Sequence, residues 1–92
     1  MCYDNSWEHD MSVTVYATHS CQYCKLEKSY LDENSIDYEV IFADDTRDNA
    51  LKLYEESGQL GVPFTIIESA DGKKHKVLGF DKARLAKLLG LE

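Results

Sequence analysis

Cys21 and Cys24 stand as Cys21-Gln22-Tyr23-Cys24, between the apolar run Val13-Thr14-Val15-Tyr16 and a segment from Tyr23 to about Asn34 with Leu26, Tyr30 and Leu31 at helical spacing. Two thiols so spaced at a strand-to-helix junction can carry out disulfide exchange. The first sulfur lies beside backbone N–H groups that have no partner within the helix, at the positive end of the helix dipole. Such surroundings favour thiolate over thiol, and the thiolate is the attacking species. The second sulfur lies one turn along and can close a disulfide with the first. The chemistry then has two steps. Cys21 attacks a substrate disulfide to form a mixed disulfide, and Cys24 attacks the Cys21 sulfur to release reduced substrate. Half of a zinc site is the structural alternative. Structural zinc usually takes four protein ligands, and the chain has only Cys2 besides this pair, so no metal set is expected. His19, two residues before Cys21, and Lys25, just after Cys24, add nitrogen near the turn; both read as exposed side chains.

The elements that must hold the pair follow from pattern and punctuation. After the first helix, Asn34-Ser35 breaks the period, and Tyr38-Glu39-Val40-Ile41-Phe42 reads as a second strand. Asp44-Asp45-Thr46 offers a cap to a helix with Ala50, Leu51, Leu53 and Tyr54, ending at Ser57-Gly58, where glycine suits a left-handed terminus. Leu60-Gly61-Val62-Pro63 leads into Phe64-Thr65-Ile66-Ile67, a buried third strand. Asp71-Gly72 is a hairpin signal, and Lys74 to Leu78 returns as a more polar fourth strand. Asp81 can cap a last helix with Leu85, Leu88 and Leu89, closed by Gly90. The order is βαβαββα, an α/β arrangement. The pattern puts Leu26, Tyr30, Leu31, Val40, Phe42, Leu51, Tyr54, Phe64, Ile66, Leu85 and Leu88 in the core.

Size and charge bound the function. Ninety-two residues make one small domain, and three cysteines are too few for a disulfide framework. A net charge of −7 argues against nucleic acid or an anionic membrane as partner. No apolar stretch approaches the ~20 residues of a membrane span. Residues 1–10 are polar, acidic and without periodicity, unlike a signal peptide; they read as a tail before a domain of residues 11–92, with Cys2 an uninvolved thiol. Cytoplasm is the expected compartment, and a monomer the expected state.

Three stretches in order carry a family resemblance: Val15-Tyr16-Ala17-Thr18-His19-Ser20-Cys21-Gln22-Tyr23-Cys24, Gly61-Val62-Pro63 and Gly79-Phe80-Asp81. Over about residues 12–90 the chain resembles the glutaredoxin family of the thioredoxin fold. The resemblance implies a four-stranded mixed sheet flanked by three helices and a dithiol–disulfide oxidoreductase acting on protein or small-molecule disulfides. It implies a cis peptide before Pro63, with Val62 offering its main chain to an extended substrate. Gln22 and Tyr23 would flank the substrate, and Gly79 and Asp81 would help to hold a carboxylate at the start of the last helix. The ending Leu78-Gly79-Phe80-Asp81-Lys82-Ala83-Arg84-Leu85 is similar to small bacterial and archaeal members, including the glutaredoxin-like electron donor of ribonucleotide reductase.

No tightly bound cofactor is implied. The reductant would be glutathione as co-substrate, or a thioredoxin-reductase-like flavoprotein. The chain departs from the family where glutathione is held. Thr18 stands for a lysine that meets the glycine carboxylate, and Lys82 for an aspartate that holds the γ-glutamyl amine. Gln59 lies where a helper side chain for the glycine carboxylate can come from, and Arg47 would add charge at a distance. Gln22 replaces a proline whose loss, in the family, has accompanied iron–sulfur cluster assembly. Two other classes of function therefore stand beside the oxidoreductase: a cluster- or metal-binding module using Cys21, and a redox-inert interaction domain.

Overall fold

The computed structural model describes residues 12–69 and 72–91. The expected tail and Asp71 of the hairpin signal lie outside the described residues. The elements are β1 (Ser12–Ala17), α1 (Gln22–Glu33), β2 (Glu39–Phe42), α2 (Arg47–Ser57), β3 (Phe64–Glu68), β4 (Lys74–Leu78) and α3 (Lys82–Leu89). This is the expected βαβαββα order.

The strands form one mixed sheet in the order β2-β1-β3-β4. β1 and β2 are parallel, and the helix between them supplies the crossover that a parallel pair needs. β3 is antiparallel to both β1 and β4. Side chains alternate across the sheet and divide the core in two. Val13, Val15, Ile67 and Val77 pack with Leu31 of α1 and with Leu85 and Leu89 of α3. Tyr16, Phe64 and Ile66 pack on the opposite face with Leu53 of α2. The helices end where local chemistry stops them. Thr46 Oγ1 accepts from the Asn49 N–H at 3.1 Å to start α2. Gly58 at φ 78 ends it, a conformation that side chains with a Cβ resist.

Three residues expected in the core are not there: Leu26, Leu51 and Tyr54 are exposed. The buried positions of α1 are Cys24, Glu27 and Leu31, so Leu26 projects from the far side of the helix. On α2 the buried position is Leu53, and Leu51 and Tyr54 lie round the helix from it. Both helices carry apolar residues on two sides, and the sheet covers only one. Among the described residues no helix is long and apolar enough to cross a membrane.

Candidate active site

The sheet brings the sequence motifs to one end. Tyr16 near the end of β1 pairs with Phe64 at the start of β3, and Phe64 pairs with Leu78 at the end of β4. The chain leaving β1 toward Cys21, the chain entering β3 through Val62 and Pro63, and the chain leaving β4 through Gly79 therefore share one end of the sheet. The Val62-Pro63 peptide is cis, as the family resemblance implied, and Pro63 is buried. Its carbonyl accepts from the Gly79 N–H at 2.8 Å, which ties these two segments together. Gly79 has φ 81 with open space where a Cβ would stand, so glycine serves the turn and not a close approach. Asp81 caps α3 by accepting from the Arg84 N–H at 3.2 Å and is exposed.

Cys21 is the N-cap of α1. Its Sγ accepts from the Cys24 N–H at 3.1 Å, and the first turn of the helix contains no acidic residue. The positive end of the helix is thus aimed at this sulfur without a carboxylate to offset it. Cys21 and Cys24 are joined as a disulfide with Cα atoms 5.3 Å apart. Their exposures differ: Cys21 is half-buried, and Cys24 is 1% exposed. Gln22 is exposed, and Tyr23 is 66% exposed beside the pair. Val62 is half-buried.

His19 is engaged away from the sulfurs. Its backbone N–H and Nδ1 meet the two carboxylate oxygens of Asp44 at 3.0 Å each, and Nε2 lies 3.6 Å from Asp45 Oδ1. Its ring stacks on Phe42 with centroids 4.0 Å apart. The backbone N–H of His19 is the main influence holding the Asp44 carboxyl below its ordinary value. His19, Asp44 and Asp45 offer three ligand atoms within 4.8 Å, all on exposed residues, and their contacts pin the loop before Cys21 to the loop after β2. Gln59, expected as a helper, is bonded within its own loop: its Nε2 donates to Ser57 Oγ at 3.1 Å and its Oε1 accepts from the Gly61 N–H. Lys82 Nζ stands 5.3 Å from the centre of the Tyr30 ring.

The sequence reading missed Glu27. It is 0% exposed, on the buried side of α1 one turn beyond Cys24. The Thr65 hydroxyl donates to its Oε2, and Oε1 has no hydrogen-bond partner among the described residues. Burial pushes its carboxyl from the ordinary 4.5 up to about 7, against the Thr65 hydroxyl, which draws it down. The available signal was positional: Glu27 lies four residues before Leu31 and three after Cys24, on the stripe those residues define.

Comparison with known proteins follows the same outline. The glutaredoxin family profile matches residues 13–69. A glutaredoxin-like protein of 8.6 kDa encoded in the rubredoxin operon of Clostridium pasteurianum, itself uncharacterised, is 35% identical over 78 residues, covering 84% of this chain and 96% of that one. The crystal structure of glutaredoxin from Archaeoglobus fulgidus superposes with a TM-score of 0.71 at 24% identity, covering 91% of both chains. Methanoredoxin from Methanosarcina acetivorans gives 0.69 at 26% identity, over 86% of this chain and 84% of that one.

Proposed function

The chain belongs to the glutaredoxin family, and from that premise we propose that it is a dithiol–disulfide oxidoreductase working through Cys21 and Cys24. Family membership supports a thiol–disulfide oxidoreductase type of activity. One observation carries the division of roles: the Cys24 N–H donates to Cys21 Sγ at 3.1 Å at the start of α1. A donor aimed at the sulfur stabilises charge on it, so Cys21 is the better thiolate and attacks first. Cys24, buried one turn inside, resolves the mixed disulfide. The substrate gains two electrons and leaves as thiol, and the pair closes to a disulfide.

Substrates are disulfide-bearing proteins or small disulfides. They dock over Gln22 and the exposed ring of Tyr23, along the main chain of Val62 and Pro63 and beside Gly79 and Asp81. An extended substrate segment pairs with Val62 as one more strand. No tightly bound cofactor takes part. Thr18, Lys82 and the Gln59 amide engaged within its own loop support weak use of glutathione, which leaves a thioredoxin-reductase-like flavoprotein as the stronger reductant. The protein acts as a monomer in the cytoplasm, where a reducing pool returns the pair to dithiol.

Trapping tests the roles. Cys24→Ser should accumulate a stable mixed disulfide on Cys21 when mixed with a disulfide substrate, and Cys21→Ser should accumulate none on Cys24. Mass spectrometry of the intact adducts reads the result. Equal trapping by both variants would overturn the assignment.

A further inference from the structure

Resting on the oxidoreductase reading above, we propose that Glu27 is the proton relay of the resolving thiol, taking the proton from Cys24 as it attacks and returning it when the disulfide is reduced. Cys24 is 1% exposed and must lose a proton before it can attack the Cys21 sulfur. Burial in apolar surroundings opposes that ionisation, so a base is needed on the buried side. Glu27 lies on that side, three residues along the same helix, with Oε1 unpartnered among the described residues.

The other groups packed around this position do not serve. Thr65, which donates to Glu27, pairs with Val15 of β1 and Val77 of β4, both buried and apolar. His75, two residues before Val77 and on the same sheet face, pairs with Ile67, further from the end of the sheet that carries the cysteines. On α3 the buried side is Leu85, Ala86 and Leu89, while Lys82, Arg84 and Lys87 are exposed. On α1, Lys25 is exposed, and Lys28 Nζ stands 5.2 Å from the centre of the Phe42 ring. Both ring nitrogens of His19 face carboxylates of Asp44 and Asp45. A carboxyl held at about 7 by burial accepts and releases a proton near neutral pH, which an ordinary glutamate does not.

The step balances. Cys21 thiolate attacks the substrate disulfide, giving the mixed disulfide and one substrate thiolate, which takes a proton from solvent. Glu27 carboxylate accepts the Cys24 proton, and the new thiolate displaces the second substrate thiolate from Cys21, closing the Cys21–Cys24 disulfide. Two electrons have passed to substrate, and one proton rests on Glu27. When a reductant opens the disulfide, Cys24 leaves as thiolate and recovers that proton.

The test uses the full chain with Cys2→Ser, which removes the third thiol. The reduced protein is mixed with one equivalent of dithiobis-nitrobenzoate, whose leaving thiolate is yellow. A first release reports attack by Cys21, and a second reports resolution by Cys24. In Glu27→Gln the first release should be unchanged. The second should slow about a hundredfold near neutral pH, the lower end of general acid–base effects, and lose the step near pH 7 expected of the parent. Thr65→Val removes the hydroxyl that draws the carboxyl down, so the step should move to higher pH.

A second release in Glu27→Gln with the parent's rate and pH step overturns the relay, as does an unmoved step in Thr65→Val. Should Glu27→Gln fail to fold, the Thr65→Val profile decides alone. Failure of the parent to give the first release overturns the oxidoreductase reading and the relay with it, an outcome distinct from an intact first phase with an unaltered second.

Discussion

Glu27→Gln should stabilise the oxidised protein above neutral pH and leave it nearly unchanged in weak acid. In the unfolded chain this glutamate ionises at its ordinary 4.5, and in the fold at about 7. Between those values the folded state binds more protons than the unfolded one, so this group makes stability fall as pH rises through the window. The contribution is fully present below 4.5 and is lost once pH passes about 7. At about 1.4 kcal/mol per pH unit, the interval corresponds to a loss of about 3 kcal/mol. Glutamine is neutral throughout and can still accept from the Thr65 hydroxyl, so it escapes the loss. Urea titrations of both proteins at about pH 5 and about pH 8 provide the measurement. With a urea slope of about 1 kcal/mol/M, the variant's midpoint should exceed the parent's by on the order of 2 M or more at the higher pH, and by little at the lower. The other acidic groups of the chain need no separate treatment, because they are common to both proteins and cancel in the difference. A difference between the proteins that is the same at both pH values would refute the argument, since only ionisation of Glu27 makes it depend on pH.

Two further expectations concern the substrate end of the molecule. Glutathione-dependent turnover of the parent, followed as NADPH loss with glutathione reductase, should be poor; Thr18→Lys with Lys82→Asp should raise it about tenfold or more, since one restored charge-assisted contact is worth about 1.5–3 kcal/mol. Efficient, saturable turnover by the parent would contradict this. Asp81→Ala removes the acceptor for the Arg84 N–H and should lower stability by about 1 kcal/mol, seen as a fall of several degrees in Tm, whereas Asp81→Ser should retain most of it.

The element order was legible because apolar period and punctuation agree along the chain. Thr46, Gly58, Asp81 and Gly90 each stop or start a helix where their chemistry says they should. The Cys21-x-x-Cys24 pair was legible for the same reason, since a strand, a turn and a helix stand around it in sequence. Helix orientation was less so. Leu26, Leu51 and Tyr54 are as apolar as the residues that pack inward, and only the position of the sheet decides which side is covered. Contacts between distant loops have no local signature either. His19 meets Asp44 across 25 residues, and nothing near either residue encodes the partner. Glu27 escaped because a charged residue reads as solvent-facing unless its helical register is compared with its neighbours.

That register also bears on why a carboxyl stands there at all. Among the described residues the buried polar or charged side chains are Glu27 and Thr65, and they bond to each other inside an otherwise aliphatic layer of Val13, Val15, Leu31, Ile67, Val77 and Leu85. Replacing both partners of a buried polar pair with apolar groups of like shape is often neutral or stabilising. Stability alone therefore gives no reason for the pair, and above neutral pH the ionised carboxylate works against the fold. The hydroxyl of Thr65 limits that effect by stabilising the carboxylate and drawing its pKa back down, to a value where the group can both take and give a proton. A group that weakens the fold, is tuned by one neighbour, and lies a single turn from a buried thiol is better explained by what that thiol must do than by packing. The cost falls in the layer beneath α1, while the sulfur at its N-cap keeps its own stabilising donor, so the two halves of the dithiol cycle are set by separate parts of one helix.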